Sequence, residues 1–439
     1  MTFNSIDFAD MELGACLELV IDHRGKTPRK LKSDWVESGI PTISAKNVNS
    51  GRLVAKDAIR YVTHDVYKKW MSVDVTRGDC FLVSEGATLG HCMYWDENYP
   101  IVLGQRIFCL RANPEILYNR YLYAYMNTLA FQSEIVGRAT GSSVSGLRQT
   151  EVLKLNIKVP PMAVQKFIGD TLYNLNKKAE VNNQTNQTLE QMAQAIFKSW
   201  FVDFEPVKAK MNGEQPEGMD DATASLFPET LDSETGIPAG WSQGVISDIA
   251  KLNAKSWTKK NQPEQVHYVD LANTKNGVIE TVTTYDFDEA PSRARRVLNS
   301  GDTIVGTVRP GNRSFAFIGK TEQPLTGSTG FAVLSPKEEF WTSFVYLATT
   351  NDDTIDEYAR LADGGAYPAI KPVVVADTPC VIPTTDVAQK FWQLTGAMLQ
   401  KAHQNRLENE ELAQLRDTLL PKLLSGEIEL NLAEVNAND

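Results

Sequence analysis

The residues able to do chemistry in this chain are scattered rather than assembled. Five cysteines (Cys16, Cys80, Cys92, Cys109, Cys380) form no C-x-x-C pair, and an odd number makes a poor disulfide framework. Five histidines (His23, His64, His91, His267, His403) include no H-E-x-x-H, so no metal ligand and no catalytic residue is assigned. G-x-G-x-x-G, G-x-x-x-x-G-K-[ST] and G-x-S-x-G are all missing. Gly86-Ala87-Thr88-Leu89-Gly90 lacks the lysine and spacing of a phosphate-cradling loop and reads as a turn between strands. Asn113-Pro114-Glu115 starts like N-P-P-Y but has Glu where the second Pro must stand, and reads as a helix start. A triad drawn from distant loops stays open. The chemistry otherwise available is that of reduced thiols and scattered imidazoles in a cytoplasmic protein.

Basic residues form a clearer pattern. Arg24, Lys26, Arg29, Lys30 and Lys32 fall within nine residues of a Gly- and Pro-containing loop. Lys251, Lys255, Lys259 and Lys260 occupy the corresponding early part of the second half, followed by Arg293, Arg295, Arg296, Arg309 and Arg313. Two clusters at similar places fit phosphate contact, with solvated loops as the alternative. Side chains of the donor and acceptor types that meet base edges lie on neighbouring segments: Lys46, Asn47, Ser142, Ser143 and Arg148, then Asn273, Tyr367 and Lys371. The whole-chain charge of −11 argues the other way until it is divided. Residues 1–160 carry 19 basic and 17 acidic side chains, whereas 206–240 carry 2 against 7 and 384–439 carry 5 against 9. The acidic excess lies mainly away from the first basic cluster.

The elements that must position these residues are written twice. At a constant offset of 223 residues, Gly78-Asp79 recurs as Gly301-Asp302, the 141–148 loop as 364–371, and Val159-Pro160 as Ile382-Pro383. Nearer each start the offset drifts, so that Asn47 and Gly51 match Asn273 and Gly277, which reads as loop insertion. Runs such as Cys80–Val83, 107–110, Thr303–Gly306 and 331–334 predict strands; 117–131 and 341–349 predict helices. Each half is therefore a mixed α+β globule. With 439 residues, 42% hydrophobic, the chain can bury sizeable cores, and no run of 18 apolar residues predicts a membrane span.

After Pro161 and again after Pro383 the period becomes helical. Ile168, Leu175, Asn182, Leu189 and Ile196 are spaced by seven, and so are Phe391, Met398, Asn405, Leu412 and Leu419. Four apolar positions with Asn in the middle is a coiled-coil seam, with Leu172, Ala179, Ala193, Trp200, Leu394 and Leu415 filling its other half. Two ordinary amphipathic core helices are the alternative. A buried Asn needs a partner, so antiparallel packing should bring Asn182 near Asn405. The far ends carry apolar surface beyond one face: Phe197, Trp200 and Phe201, then Leu420, Leu423 and Leu424. That surplus fits a docked partner subunit, or packing on the chain's own globules.

These residues carry a resemblance. Leu189 to Val207, L-E-Q-M-A-Q-A-I-F-K-S-W-F-V-D-F-E-P-V, resembles the end of the central conserved helix of type I restriction–modification specificity subunits, and 412–428, ending L-L-P-K-L-L-S-G-E-I, resembles their distal conserved region. Ile237-Pro238-Ala239-Gly240-Trp241 looks like their opening of a second recognition domain, and Ile21 to Pro28 with Gly39-Ile40-Pro41 and Lys46-Asn47-Val48 like that of the first. The resemblance implies two target-recognition domains, 1–160 and 241–383, a central spacer helix at 161–205, a linker at 206–240, a distal spacer helix at 384–426 and a tail at 427–439. It implies an antiparallel coiled coil holding the two domains apart. It further implies a non-catalytic adaptor that reads a bipartite double-stranded DNA target and carries no cofactor. Two modification subunits would supply S-adenosylmethionine chemistry, and two restriction subunits would supply ATP- and Mg-dependent translocation and cleavage.

Overall fold

A computed structural model describes residues 8–49, 51–141, 145–425 and 427. Ser142, Ser143 and the 428–439 part of the tail lie outside the described residues. The chain divides into two compact units, Met1–Glu180 with Glu410–Asp439, and Val181–Asn409.

In the first unit a four-stranded antiparallel sheet runs in the order Leu17–Ile21, Ile107–Ala112, Cys80–Val83, Cys92–Tyr94. Its two central strands carry the continuous apolar runs Cys80–Val83 and 107–110 because both faces are covered there. Cys80, Leu82, Phe108 and Leu110 enter one core, while Phe81, Val83, Ile107 and Cys109 enter another on the opposite face. A mixed three-stranded sheet places Ile40–Ile43 between Arg60–Val62, antiparallel, and Val102–Leu103, parallel.

The second unit repeats this plan. Ala250–Leu252, Phe331–Pro336, Thr303–Gly306 and Phe315–Phe317 form the matching sheet. Val305, Ala332 and Leu334 face one core, and Ile304, Phe331 and Val333 the other. The mixed sheet here has four strands, Ala294–Leu298 being the additional one. All four strands expected from sequence are present. The region expected as one helix over 117–131 is two, Asn119–Met126 and Leu129–Arg138, because Thr128 caps a new helix by accepting from Phe131 N. Asn113-Pro114-Glu115 is not a helix start: Asn113 Oδ1 accepts from Glu115 N and its carbonyl from Leu117 N, which makes a turn before Asn119.

Two long helices dominate the remainder, Met162–Phe201 (40 residues, the central helix) and Thr385–Ser425 (41 residues, the distal helix). In the second unit Asn182 meets Asn409, Asn186 meets Asn405, and Phe197 meets Phe391, so the two run antiparallel there. In the first unit Arg416 reaches Asn176 and Leu423 packs into the core holding Ile168 and Leu172.

The seam differs from strict heptads. Ile168, Asn182, Phe391 and Asn405 are buried, whereas Leu175, Leu189, Ile196, Met398, Leu412 and Leu419 are half-buried. Leu394 and Leu415 are exposed at 37% and 46% and do not fill it. The other half of the seam holds better on the central helix: Leu172, Ala193 and Trp200 are buried as expected, Asn186 is buried on the same seven-residue stripe, and Phe197 is an addition to it.

The linker over 206–240 is not solvated coil. It contains Glu205–Met211 and Asp221–Ser225 as helices, and Val207, Phe227 and Ile237 join the core of the second unit. Its turn residues separate single apolar anchors, which composition averages away.

Candidate nucleic-acid interface

Two loops meet in each unit, and the same backbone bonds hold them. In the first unit the turn between Cys80–Val83 and Cys92–Tyr94 carries Gly86 and Gly90 at φ +98° and +87°. Gly86 N donates to Ser145 O (3.1 Å), Leu147 N to Ser84 O (2.7 Å), and Thr140 and Gly146 exchange bonds of 2.9 Å. In the second unit Arg309 N donates to Pro368 O (2.7 Å), Ile370 N to Thr307 O (2.9 Å), and Asp363 and Ala369 exchange bonds of 3.1 and 2.8 Å. Every one of these positions is related by the offset of 223. The scaffold is conserved between the halves while its side chains change, the arrangement suited to presenting different contacts from one frame.

The second unit presents charge and a ring on this frame. Arg309 and Arg313 stand where the first unit has Gly86 and Gly90, and both adopt left-handed backbone, φ +49° and +60°. Arg309 Cζ lies 4.4 Å from the centre of the Tyr367 ring and its Nη2 donates to Ala366 O at 2.9 Å. Tyr367 is 69% exposed, so one face of the pair is open to a ligand. Arg313 is tied back to Asn276 at 3.1 Å and ion-paired with Asp352. Lys371 is exposed at the start of Pro372–Ala376, as Arg148 is at the start of Gln149–Val152. Lys251 and Lys255 are exposed on a separate part of the unit; Lys255 O accepts from Val297 N, on the strand that also carries Arg295 and Arg296. Burial lowers the pKa of Arg296, whose Nη1 donates to Ser256 Oγ.

In the first unit two of the expected cations lie on a cleft of about 420 Å³. Lys26 and Lys46 line it, together with Trp35, Arg60 and Arg106, which sequence reasoning missed. Arg24 sits beside the 141–148 loop: its Nη1 donates to Leu147 O, it pairs with Asp22 at 2.7 Å, and it covers the Phe108 ring at 4.1 Å. Lys30 Nζ donates to Gly25 O and is otherwise exposed.

Three expectations need correction. Asn47 is fully buried and closes its own turn: Oδ1 accepts from Ser44 N and Oγ, and Nδ2 donates to Val54 O and Ala55 O. It holds the loop and cannot touch a base. Its counterpart Asn273 is half-buried, with its backbone N on Asp270 Oδ1. The apolar ends of the helices are covered by the chain itself. Phe197, Trp200 and Phe201 are 4–6% exposed and pack among Phe344, Phe391, Trp241 and Phe227. Leu423 is 3% exposed in the other core, with Leu420 and Leu424 packed against it. The third concerns Asn182, whose partners are Glu408 and Asn409 rather than Asn405.

All five cysteines are free thiols, four of them buried, and burial pushes Cys92 up to about 12. Among the described residues no group of three His, Cys, Asp or Glu side chains is placed to hold a metal, and no helix is long and apolar enough to cross a membrane.

Residues 6–191 match the family model described as the type I restriction modification DNA specificity domain. The specificity subunit of the type I restriction enzyme HindI from Haemophilus influenzae is 24% identical over 381 residues, 76% of this chain and 82% of that protein. The chain is similar to type I restriction enzyme specificity subunits, through this domain match and through relatives that cover most of its length. Another relative, the MjaIX specificity subunit from Methanocaldococcus jannaschii, is 23% identical over 92% of this chain and 90% of its own length. Among solved structures, the type I restriction–modification S subunit from M. genitalium shares the fold, with a TM-score of 0.61 at 16% identity over 96% of both chains. Two sheet-centred units and two long helices are thus the α+β architecture that this chain shares with that structure.

Proposed function

We propose that this chain is the DNA sequence-recognition component of a type I restriction–modification assembly. The observation that carries the reading is the doubled loop frame, bonded identically in both units and dressed with Gly86 and Gly90 in one and Arg309, Arg313 and Tyr367 in the other. One frame with two sets of side chains suits two different short half-sites, hence an asymmetric bipartite target. The chain itself is non-catalytic and works in the cytoplasm. It assembles with two modification subunits, which bring S-adenosylmethionine, and two restriction subunits, which bring ATP and Mg chemistry. Because the chain carries a net charge of −11, tight DNA binding draws on positive surface from those partners.

The test is selection of bound duplexes from a random pool by the chain with its purified modification partner. The expected result is enrichment of two unlike motifs at fixed separation, with affinity falling as salt rises. Enrichment of nothing would leave a protein-joining scaffold as the better account.

A further inference from the structure

The cleft in the first unit has features that duplex binding does not require. Thr42 and Trp70 line it at 7% and 1% exposure, and neither Thr42 Oγ1 nor Trp70 Nε1 has a hydrogen-bond partner among the described residues. Buried polar groups are ordinarily paired; both atoms lie just beneath the cleft wall, so a small shift of that wall would let a bound molecule pair them. The rim is cationic and largely uncompensated. Lys26 Nζ and Lys46 Nζ donate only to backbone carbonyls, of Trp70 (2.6 Å) and Ala58 (2.9 Å). Among the described residues Glu85 is the one carboxylate of the lining, and it is taken by Arg106 at 3.1 Å. Trp35 is half-buried with the Arg60 guanidinium over its ring at 3.9 Å, and lies 6.4 Å from Trp70.

A flat aromatic wall, unpaired polar groups just beneath it and ammonium groups at the rim match a planar heterocycle joined to a phosphate. A sugar lacks the flat face and anion; a lipid would leave the two orphans unpaired. We propose that this cleft is a mononucleotide-binding site, with the base against Trp35 and over the wall that covers Thr42 and Trp70, and the phosphate on Lys26 and Lys46. The inference goes beyond duplex recognition, which could hold with the cleft empty. The nucleotide has two possible sources, one turned out of a DNA strand or one free in solution.

Saturation-transfer NMR and competition titrations on the full chain, with the four deoxynucleoside 5′-monophosphates and with inorganic phosphate, test the site. At least one monophosphate should bind tenfold or more tighter than inorganic phosphate, with saturation strongest at its base protons. Lys46→Met should weaken it about tenfold, and the near-isosteric Thr42→Val several-fold. Lys401→Met, exposed on the other unit, should leave it unchanged. Lys46 is exposed, so its variant reads the site even where Thr42→Val perturbs the sheet. If a duplex with one unpaired nucleotide displaces the monophosphate better than a fully paired duplex, the ligand comes from DNA. If only free monophosphates compete, it is a soluble nucleotide. No monophosphate binding tighter than phosphate, or binding indifferent to both variants, overturns the proposal.

Discussion

Asn182 Nδ2 donates to Asn409 Oδ1 at 2.9 Å, and the repeat returns the bond with roles exchanged: Asn405 Nδ2 donates to Asn186 Oδ1 at 2.8 Å. Asn405 and Asn186 stand 223 residues from Asn182 and Asn409. Two equivalent helices packed antiparallel must satisfy each other's polar groups reciprocally, and these four amides do so. A lone matched Asn in each heptad series signals a polar layer, but heptad spacing alone does not say that the contact falls one helical turn away.

Breaking one bond of this layer should cost more than removing both ends. Asn405 and Asn186 are 2% and 8% exposed. Asn405→Leu leaves the Asn186 carbonyl unpaired in a buried seam, an expected loss of about 1–3 kcal/mol. In Asn186→Leu/Asn405→Leu the orphan is gone and the seam is apolar, so much of that loss should return. Denaturant unfolding of the four proteins of the cycle reads the coupling, and a double variant as weak as the sum of the singles would refute it.

What could be read from sequence depended on how local each feature is. The repeat register and the two helices are periodic signals carried by neighbouring residues, and they were legible. The pairing of the 86–90 turn with the following loop became visible only through backbone bonds, although the offset had already matched the 141–148 loop to 364–371. Asn47 misled because the same amide that reads a base also caps a turn, and only the buried partners distinguish them. Trp35, Arg60 and Arg106 were missed because strands from distant parts of the chain bring them to one cleft. Apolar surplus at Phe197 to Phe201 was plain, but sequence does not say what covers it, and here it is Phe344 and Phe391.

Gly169 offers a contest between two effects of known size. Ala in a helix interior gains about 1 kcal/mol over Gly. A Cβ at Gly169 would stand 2.6 Å from Tyr121 N and 2.9 Å from Arg120 C. Those are backbone atoms, and Asp170 holds that segment close by accepting from Tyr118 Oη (2.8 Å) and Arg120 Nη1 (2.6 Å). Overpacking of this kind costs roughly 1–3 kcal/mol, so Gly169→Ala should lower the midpoint of thermal unfolding. A raised midpoint would mean the two helices separate more easily than their bonds imply.

Asp79 and Asp302 are repeat mates with different surroundings. Both accept from a backbone N–H three residues earlier, Thr76 and Asn299. Asp79 also takes both arms of Arg111 at 2.8 Å, whereas burial raises the Asp302 pKa above 3.8, the backbone bond opposing it only in part. Asp79→Asn should therefore cost roughly 1.5–3 kcal/mol, the worth of a hydrogen bond to a charged group. For Asp302 a raised folded pKa contributes stability fully below the unfolded value, near 4, and loses it as pH rises through the folded value. Asp302→Asn, having no such titration, should gain on the wild type from about pH 4 upward. Melting both across pH 4–7 checks the slope, and a gap that widens toward acid has the wrong sign.

Arg309 sets stability against function. A non-glycine residue in left-handed backbone costs about 1–2 kcal/mol, and glycine in its place gives back roughly 0.5–1 kcal/mol through the entropy of the unfolded chain. Gly86 already occupies the equivalent position with φ +98°, so the turn accommodates glycine. Arg309→Gly should thus leave the melting midpoint unchanged or slightly raised. It removes the guanidinium that lies over Tyr367, so DNA binding in the presence of the modification subunit should weaken. A phosphate contact would lower the slope of log affinity against log salt by about one. A base contact would instead cost about 1–3 kcal/mol at one position of one half-site and leave the slope nearly unchanged. Anisotropy titrations over a salt series separate the two, and a variant that melts earlier yet binds normally would show that Arg309 is there for the fold.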